Sequence, residues 1–339
     1  MTTNITRTPP RRLGREGPEV SALGAGTWAM GGPFTVDGRD AGWGPADDEV
    51  SLRALRTAFD HGITLIDTAA IYGTGHSERV LGRALAELNP DARDHVVVAT
   101  KFGHLFDEPT RTDRGHDVSA ASIRTQCEAS LRRLGIEPIG LYQLHGGARS
   151  VAEAEDVVAT CEELIDAGKI RWFGTSQDAP EIVEAFASSR HCVAVQTQVN
   201  VFGWSSAVLD VARVHGLAIL ARSPLAMGLL SGRYAPDRRP GPGDVRLDTP
   251  WWSYFDEDEM QAWLERLDRV RELLTTGGRS LVQGALGYLW ALDEAIIPLP
   301  GIRTPEQAQE NATTLELGPL PAPVAAQITE LLADSPERR

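Results

Sequence analysis

Along this chain, short runs of branched apolar residues alternate with longer stretches in which apolar side chains recur every three or four positions. The short runs predict strands and the longer stretches predict amphipathic helices. Segments 63–67, 95–100, 141–144, 170–173, 193–199, 217–221 and 295–299 read as strands, and an earlier strand ends near Gly26. Segments 47–61, 77–87, 119–134, 151–167, 180–188, 205–215, 258–274 and 280–292 read as helices, with another from Pro305 and a last one near 323–333. Their ends carry the expected punctuation. Asp47, Asp48 and Glu49 load one first turn, and Gly62 and Gly135 stop two helices. Residues 11–23 hold turn signals at Gly14 and Gly17-Pro18, which predict a small N-terminal hairpin. Segment 231–257 is rich in Pro and Gly, and a loop of that length is functional or disordered. Eight strands, each followed by helix and with no linker between them, predict an α/β fold of one domain over 1–339. It is a (β/α)8 TIM barrel with an N-terminal hairpin and long loops at its C-terminal face. Residues 1–10 read as a loose, disordered arm.

Composition narrows the field without naming a chemistry. A chain of 339 residues with 42% hydrophobic and 24% charged residues is that of an ordinary globular protein. A net charge of -14 argues against nucleic acid and anionic membrane as partners. No stretch approaches the roughly 20 apolar residues of a membrane span. The N-terminus lacks the apolar core of a signal peptide. Cys127, Cys161 and Cys192 match no metal or redox spacing and read as small buried hydrophobes in a reducing cytoplasm. The stretch Gly24 to Gly31 superficially suggests a dinucleotide fingerprint. Its third glycine is misplaced, however, and Pro33 stands where the helix should continue, so a Rossmann reading is excluded.

The informative feature is what ends the strands. Asp67, Lys101 and His145 fall at the C-terminal ends of strands two, three and four, and Tyr72 on the loop after strand two. In a parallel barrel those ends meet at one mouth, where chemistry is done. Of 33 basic side chains only Lys101 and Lys169 are lysines. A chain that uses arginine almost everywhere keeps lysine where a compact, tunable point charge is needed. A free tyrosine, with a pKa of about 10, is a poor acid at neutral pH. An adjacent ammonium, held by a carboxylate, lowers that value and makes a tunable proton donor. His145 can orient a carbonyl oxygen beside the tyrosine hydroxyl. The set suits protonating a carbonyl oxygen while hydride reaches its carbon. No metal-ligand spacing is present, so the hydride must come from an organic cofactor.

These residues, with Gly62-Ile-Thr-Leu-Ile-Asp67-Thr-Ala-Ala-Ile-Tyr72-Gly73, Thr100-Lys101-Phe102-Gly103, Tyr142-Gln-Leu-His145, Gly174-Thr-Ser176-Gln177, Gln196-Thr-Gln-Val-Asn200, Ser223-Pro-Leu-Ala-Met-Gly228 and Pro300-Gly-Ile-Arg-Thr-Pro-Glu-Gln307, resemble the aldo-keto reductase family from about Leu13 to Asn311. The chain's flavour resembles the bacterial members akin to potassium-channel β-subunits. The resemblance implies NADPH/NADP as cofactor, a small-molecule carbonyl substrate, and Asp67, Tyr72, Lys101 and His145 as catalytic residues. It implies cofactor contacts from Thr27, Trp28, Asp67, Ser176, Gln177 and Gln196. It implies a pyrophosphate loop of Ser223, Leu225, Gly228 and Leu229, and an adenosine end of Arg303, Gln307, Glu310 and Asn311. It implies further cofactor contacts from Pro224, Ser231, Arg233 and Gly301, with Arg222 in place of the aromatic that often stacks on the nicotinamide. Trp28, Tyr72, Phe102 and His145 would face substrate. Trp43, Trp172 and Trp204 are further candidate walls, with Trp251-Trp252 as a lid. Gln177, Val199, Arg222 and Gly140 depart from the family's usual residues. Two other functions fit the same residues: a cofactor-binding redox sensor or regulatory subunit with slow turnover, and a biosynthetic ketoreductase acting on a sugar-like metabolite. Helix capping by Thr304, Pro305 and Gln307, beside Arg303, predicts a site for the 2′-phosphate of NADPH.

Overall fold

In a computed structural model, which describes residues 8–338 apart from Asp248, the apolar runs lie side by side as parallel strands. They are β1 (Gly24–Gly26), β2 (Leu65–Asp67), β3 (Val97–Phe102), β4 (Ile139–Leu144), β5 (Ile170–Thr175), β6 (Cys192–Asn200), β7 (Ala218–Arg222) and β8 (Ile296–Pro298). Their hydrogen-bonded order follows the chain from β1 to β8. The seam between first and last strands closes just beyond β8, through a parallel bridge from Gly26 to Gly301. There Gly26 N–H donates to Pro300 O at 2.9 Å and Ile302 N–H to Gly26 O at 3.0 Å.

The outer layer comprises α1 (Asp48–Asp60), α2 (His76–Glu87), α3 (Ala120–Leu134), α4 (Val151–Asp166), α5 (Pro180–Ala187), α6 (Ser206–His215), α7 (Met260–Leu274), α8 (Leu281–Leu292), α9 (Pro305–Leu317) and α10 (Ala322–Leu331). Each of these ten lies within two residues of its predicted limits, because local capping chemistry sets the ends. A further short helix, Pro90–Asp94, capped by Asn89, has no counterpart in the sequence reading. Asp47, Ser119, Ser150, Ser205 and Ser280 each accept a backbone N–H of the first turn, and Gly135 and Gly216 end α3 and α6 in the left-handed conformation.

Side-chain alternation along the strands divides the core in two. One set of apolar residues packs between sheet and helices, including Ile66, Val98, Phe102, Tyr142 and Phe173. The other fills the lower barrel interior, with Leu65, Ala99, Leu141, Ala194, Leu220 and Ile297. The N-terminal hairpin, Arg11–Arg12 paired antiparallel with Glu19–Val20, contributes Leu13 and Val20 to this lower layer. Thus the end of the barrel opposite the strand C-termini is closed with apolar side chains.

Two expectations change. Residues 1–7 of the predicted loose arm lie outside the described residues. Its end, though, is anchored: Thr8 is buried and donates to Leu315 O through its amide at 2.6 Å and its hydroxyl at 2.8 Å. The stretch after β3, read from sequence without secondary structure, forms strands His104–Asp107 and Thr112–His116. With Thr35–Val36 and Arg39–Asp40 they make a small four-stranded sheet over the barrel mouth. Their alternation is almost wholly polar, so hydrophobic patterning did not reveal them. No helix among the described residues is long and apolar enough to cross a membrane.

Candidate active site

One step of two residues beyond the apolar interior layer, the barrel becomes polar. Leu65 is followed on the same face by Asp67, Ala99 by Lys101, Leu141 by Gln143 and Ala194 by Gln196. These four side chains are buried together. Lys101 Nζ donates to Asp67 Oδ2 at 2.6 Å, to Thr68 O at 2.9 Å and to Tyr72 OH at 3.3 Å. The other carboxylate oxygen of Asp67 accepts from Gln196 Nε2 at 2.8 Å and Gln143 Nε2 at 3.3 Å. The ammonium therefore spends its donors on a carboxylate, a carbonyl and the tyrosine hydroxyl, with its side chain 0% exposed.

Tyr72 is held by its backbone and by aromatic packing. Gly73 follows it with φ +59°, and a Cβ there would lie 1.9 Å from Gly31 O. Only glycine lets the β2 loop press against the turn after β1, which sets the tyrosine over the mouth. Its ring stacks on Trp28 at 5.6 Å and meets His145 edge-on at 6.0 Å. Trp28 is fixed by donating its indole N–H to Ala41 O at 3.0 Å.

The electrostatics refine the expectation for Tyr72. Burial raises its pKa, Lys101 opposes that, and the net direction is upward from the ordinary phenol value. The tyrosine is thus kept protonated, ready to donate, rather than poised as phenolate. Burial would lower Lys101, but Asp67 and Tyr72 outweigh it and the lysine rises. His145 is driven well below the usual imidazole value, first by burial and then by His104 and Lys101. It is a neutral donor or acceptor at physiological pH.

These groups face one cavity of about 1050 Å³ that extends to the first turn of α9. The predicted Trp28, Asp67, Tyr72, His145, Ser176, Gln196, Arg222, Ser223, Pro224, Leu225, Gly228, Ser231, Arg233, Gly301, Arg303, Gln307, Glu310 and Asn311 all line it, as do Trp43, Trp204, Trp251 and Trp252. Six predicted residues do not. Lys101 sits just beneath the lining, reaching it through Tyr72 and Asp67, and five others lie elsewhere. Phe102 lies within β3, which runs two residues further than its apolar run indicates. Alternation turns Lys101 inward and Phe102 outward, where it stacks on Tyr142 at 4.4 Å. Trp172 packs against the lower interior layer. Thr27 is fully buried and donates to Asp67 O at 3.0 Å, bracing β2 from behind. Leu229 turns into the core. Gln177 is outside the cavity lining, and its Nε2 is buried without a partner.

The far end differs from its predicted form in two details. Gln307 accepts from Arg303 N–H at 2.9 Å rather than from the Thr304 amide, while Thr304 Oγ1 caps Gln307 N–H at 3.4 Å. The Arg303 guanidinium donates to Trp43 O at 3.0 Å and to Pro45 O. Two of its five N–H groups are thereby used, which pins it at the cavity edge with three to spare. Between the two ends, the loop after β7 carries Ser223, Ala226 and Met227 at positive φ. Three left-handed non-glycine residues in five are costly, and such strain concentrates at ligand-binding turns.

Sequence reasoning missed Arg246, Gln143, His104 and His116. Arg246 is buried in the 231–257 segment. Its guanidinium makes a bidentate pair with Asp244 at 2.7 and 2.6 Å and donates to Met227 O at 3.2 Å and Tyr234 OH at 2.5 Å. It also lies over the rings of Trp43 at 4.7 Å, Tyr234 at 5.1 Å and Phe255 at 5.3 Å. Arg246 thus ties three loops together across the cavity. A charged hydrogen bond contributes roughly 1.5–3 kcal/mol, so Arg246→Ala should open the segment about 10–100-fold more often. Limited proteolysis within 231–257 should accelerate accordingly. Gln143 was accessible from strand alternation alone; nothing local marks Arg246. No group of three or more His, Cys, Asp or Glu among the described residues could hold a metal ion.

Comparison with known proteins gives a consistent result. The aldo/keto reductase family model matches residues 22–333. The aldo-keto reductase YhdN of Bacillus subtilis is 33% identical over 304 residues, covering 86% of this chain and 84% of that protein. The NADH-specific methylglyoxal reductase of Escherichia coli is 30% identical over 319 residues, covering 90% and 93% respectively. Among solved structures, the glycerol dehydrogenase AKR11B4 from Gluconobacter oxydans superposes with a TM-score of 0.80 at 30% identity, covering 99% of this chain and 98% of the other.

Proposed function

Since the chain belongs to the aldo-keto reductase family and is an oxidoreductase of that kind, we propose that it reduces aldehyde or ketone carbonyls to alcohols with NADP(H), Tyr72 acting as the proton donor. The observation that carries this reading is the buried Asp67–Lys101–Tyr72 chain facing His145 at the strand C-termini. When bound, the reduced nicotinamide would supply hydride to the carbonyl carbon. The residues' part is proton and charge handling. A carbonyl oxygen between Tyr72 OH and the His145 ring receives two neutral donors. As negative charge develops on that oxygen, the Tyr72 hydroxyl transfers its proton, and Lys101 at 3.3 Å stabilises the phenolate left behind. Asp67 keeps Lys101 charged and aimed, and Gln143 and Gln196 keep Asp67 aimed. Trp28, Trp43 and Trp252 form an apolar wall that excludes water.

The residues fit a dinucleotide. The cavity exceeds the ~300–1,000 Å³ of usual small-molecule pockets and joins the catalytic set to a helix N-terminus suited to an anion. Arg233 lines it with no side-chain partner among the described residues, and Arg303 keeps three donors. We assign the 2′-phosphate of NADP(H) to Arg303, with the strained β7 loop and Arg233 along the pyrophosphate. One relative's NADH specificity makes this assignment worth testing directly. Loss of a charged hydrogen bond of roughly 1.5–3 kcal/mol means that Arg303→Ala should weaken NADPH about 10–100-fold and NADH far less. Fluorescence titration of both cofactors measures the ratio, and equal weakening would refute the assignment. The reaction itself is tested by following NADPH absorbance over a panel of aldehydes and ketones. Tight cofactor binding without turnover on any of them would favour a regulatory subunit.

A further inference from the structure

His145 is the one member of the catalytic set whose side chain makes no hydrogen bond among the described residues. Its backbone N–H is fixed to Phe102 O at 2.7 Å, but its ring is held by packing alone. Tyr72 meets it edge-on from one side at 6.0 Å, and His104 from the other at 5.0 Å with planes at 67°. His104 itself is locked at both nitrogens. Its Nδ1 lies 2.9 Å from Asp113 Oδ1 and its Nε2 lies 3.2 Å from His116 Nε2. The carboxylate can only accept, so Nδ1 carries a proton. In the neutral ring, His104 Nε2 is then the acceptor for the His116 Nε2–H. His104 and His116 are direct partners across the small hairpin. His116 in turn rests on the backbone just after His145, where a Cβ on Gly146 would come within 3.2 Å of its Nε2. All three imidazoles line the cavity.

We infer that His104 is a positioning residue for carbonyl reduction: locked by Asp113 and His116, its ring fixes the plane of the His145 imidazole. The inference rests on reading His145 as the carbonyl-orienting group. The hairpin after β3 thereby becomes part of the catalytic apparatus without touching the reacting atoms.

The surrounding charges act in the same direction. Lys101 from β3, Arg222 from β7, and His104 and His116 from the hairpin all disfavour protonation of His145. Asp113 faces His104 and His116, and Asp37 and Arg149 also act on His116. Removing His104 subtracts one opposing group and admits water, so His145 should protonate at a higher pH.

The test uses His104→Ala and Asp113→Asn in the full chain. kcat in His104→Ala should fall on the order of 10- to 100-fold, the range for loss of orientation, with NADPH affinity unchanged. The acid limb of its pH–kcat profile should move to higher pH. Asp113→Asn, which frees the His104 ring but removes an anion, should lower kcat in smaller measure without moving the acid limb to higher pH. In parallel, NMR of histidine-¹⁵N-labelled protein, with His145 assigned through His145→Gln, should show its titration moving upward in His104→Ala. Parental kcat in His104→Ala would overturn the inference. So would reduced kcat with an unmoved His145 titration, which would leave His104 a merely structural part. Should His104→Ala fail to fold, His104→Gln is carried through the same titration and decides in its place. The NMR arm needs no turnover. A parent protein that reduces no carbonyl would refute the proposed function, while the titration would still report whether His104 acts on His145.

Discussion

Tyr72→Phe lowers the rate of carbonyl reduction by on the order of 10²–10⁴-fold, the range for loss of a general acid, while NADPH binding is nearly unchanged. The substitution removes one oxygen and keeps the ring that stacks on Trp28 at 5.6 Å. The mouth of the cavity should keep its shape. The carbonyl oxygen then loses its proton source, since His145 is too weakly basic to hold one at neutral pH. The parent profile carries its own signature. Tyr72 donates only when protonated, and burial raises its pKa above the usual 10.0. Reduction should therefore hold through neutral and mildly alkaline pH and fall only as the tyrosine ionises. Stopped-flow measurement of the hydride-transfer step in parent and Tyr72→Phe gives the comparison free of product release. A variant with near-parental rates would remove Tyr72 from the mechanism.

Lys101→Met has two expected consequences, read by different instruments. It removes the group that most favours Tyr72 ionisation, ahead of Arg222, so the alkaline limb should move to still higher pH as the rate falls. It also leaves the Asp67 carboxylate, 7% exposed, without its counter-ion. Breaking one side of a buried pair destabilises by about 3–5 kcal/mol, so urea unfolding should shift to markedly lower denaturant. Asp67→Asn combined with Lys101→Met should recover much of that stability, because an amide needs no ammonium, yet recover none of the activity. Full stability in Lys101→Met alone would mean that Asp67 is not charged in the fold, and the description of the site would have to change.

The barrel and its catalytic mouth were legible because both are written in short-range patterns. Apolar runs of four to seven residues mark strands, and the polar residues that end them mark the mouth, which places Asp67, Lys101 and His145 together from sequence alone. What was illegible depends on register or on distant contacts. Phe102 reads as a substrate wall because a strand ending at residue 100 leaves it on a loop; the strand in fact continues to Phe102, and alternation turns that ring away from the cavity. Thr27 and Leu229 adjoin cavity residues in sequence but point behind them. Arg246 gains its role only when Trp43, Tyr234 and Asp244 meet it in space. The hairpin bearing His104 and His116 has no hydrophobic alternation, since it lies over a polar cavity instead of a core.

The scarcity of lysine, paired with the depth at which one is buried, makes the molecule easy to attach. Lys101 is sealed in the barrel, so Lys169 is the only side-chain amine open to a reagent in solution. Lys169 immediately precedes β5, at the end of the barrel remote from the catalytic mouth, where it is 28% exposed and pairs with Glu128 and Glu137. Amine-directed coupling to a bead or electrode at this side chain would hold the protein by its closed end, with the cavity facing the liquid.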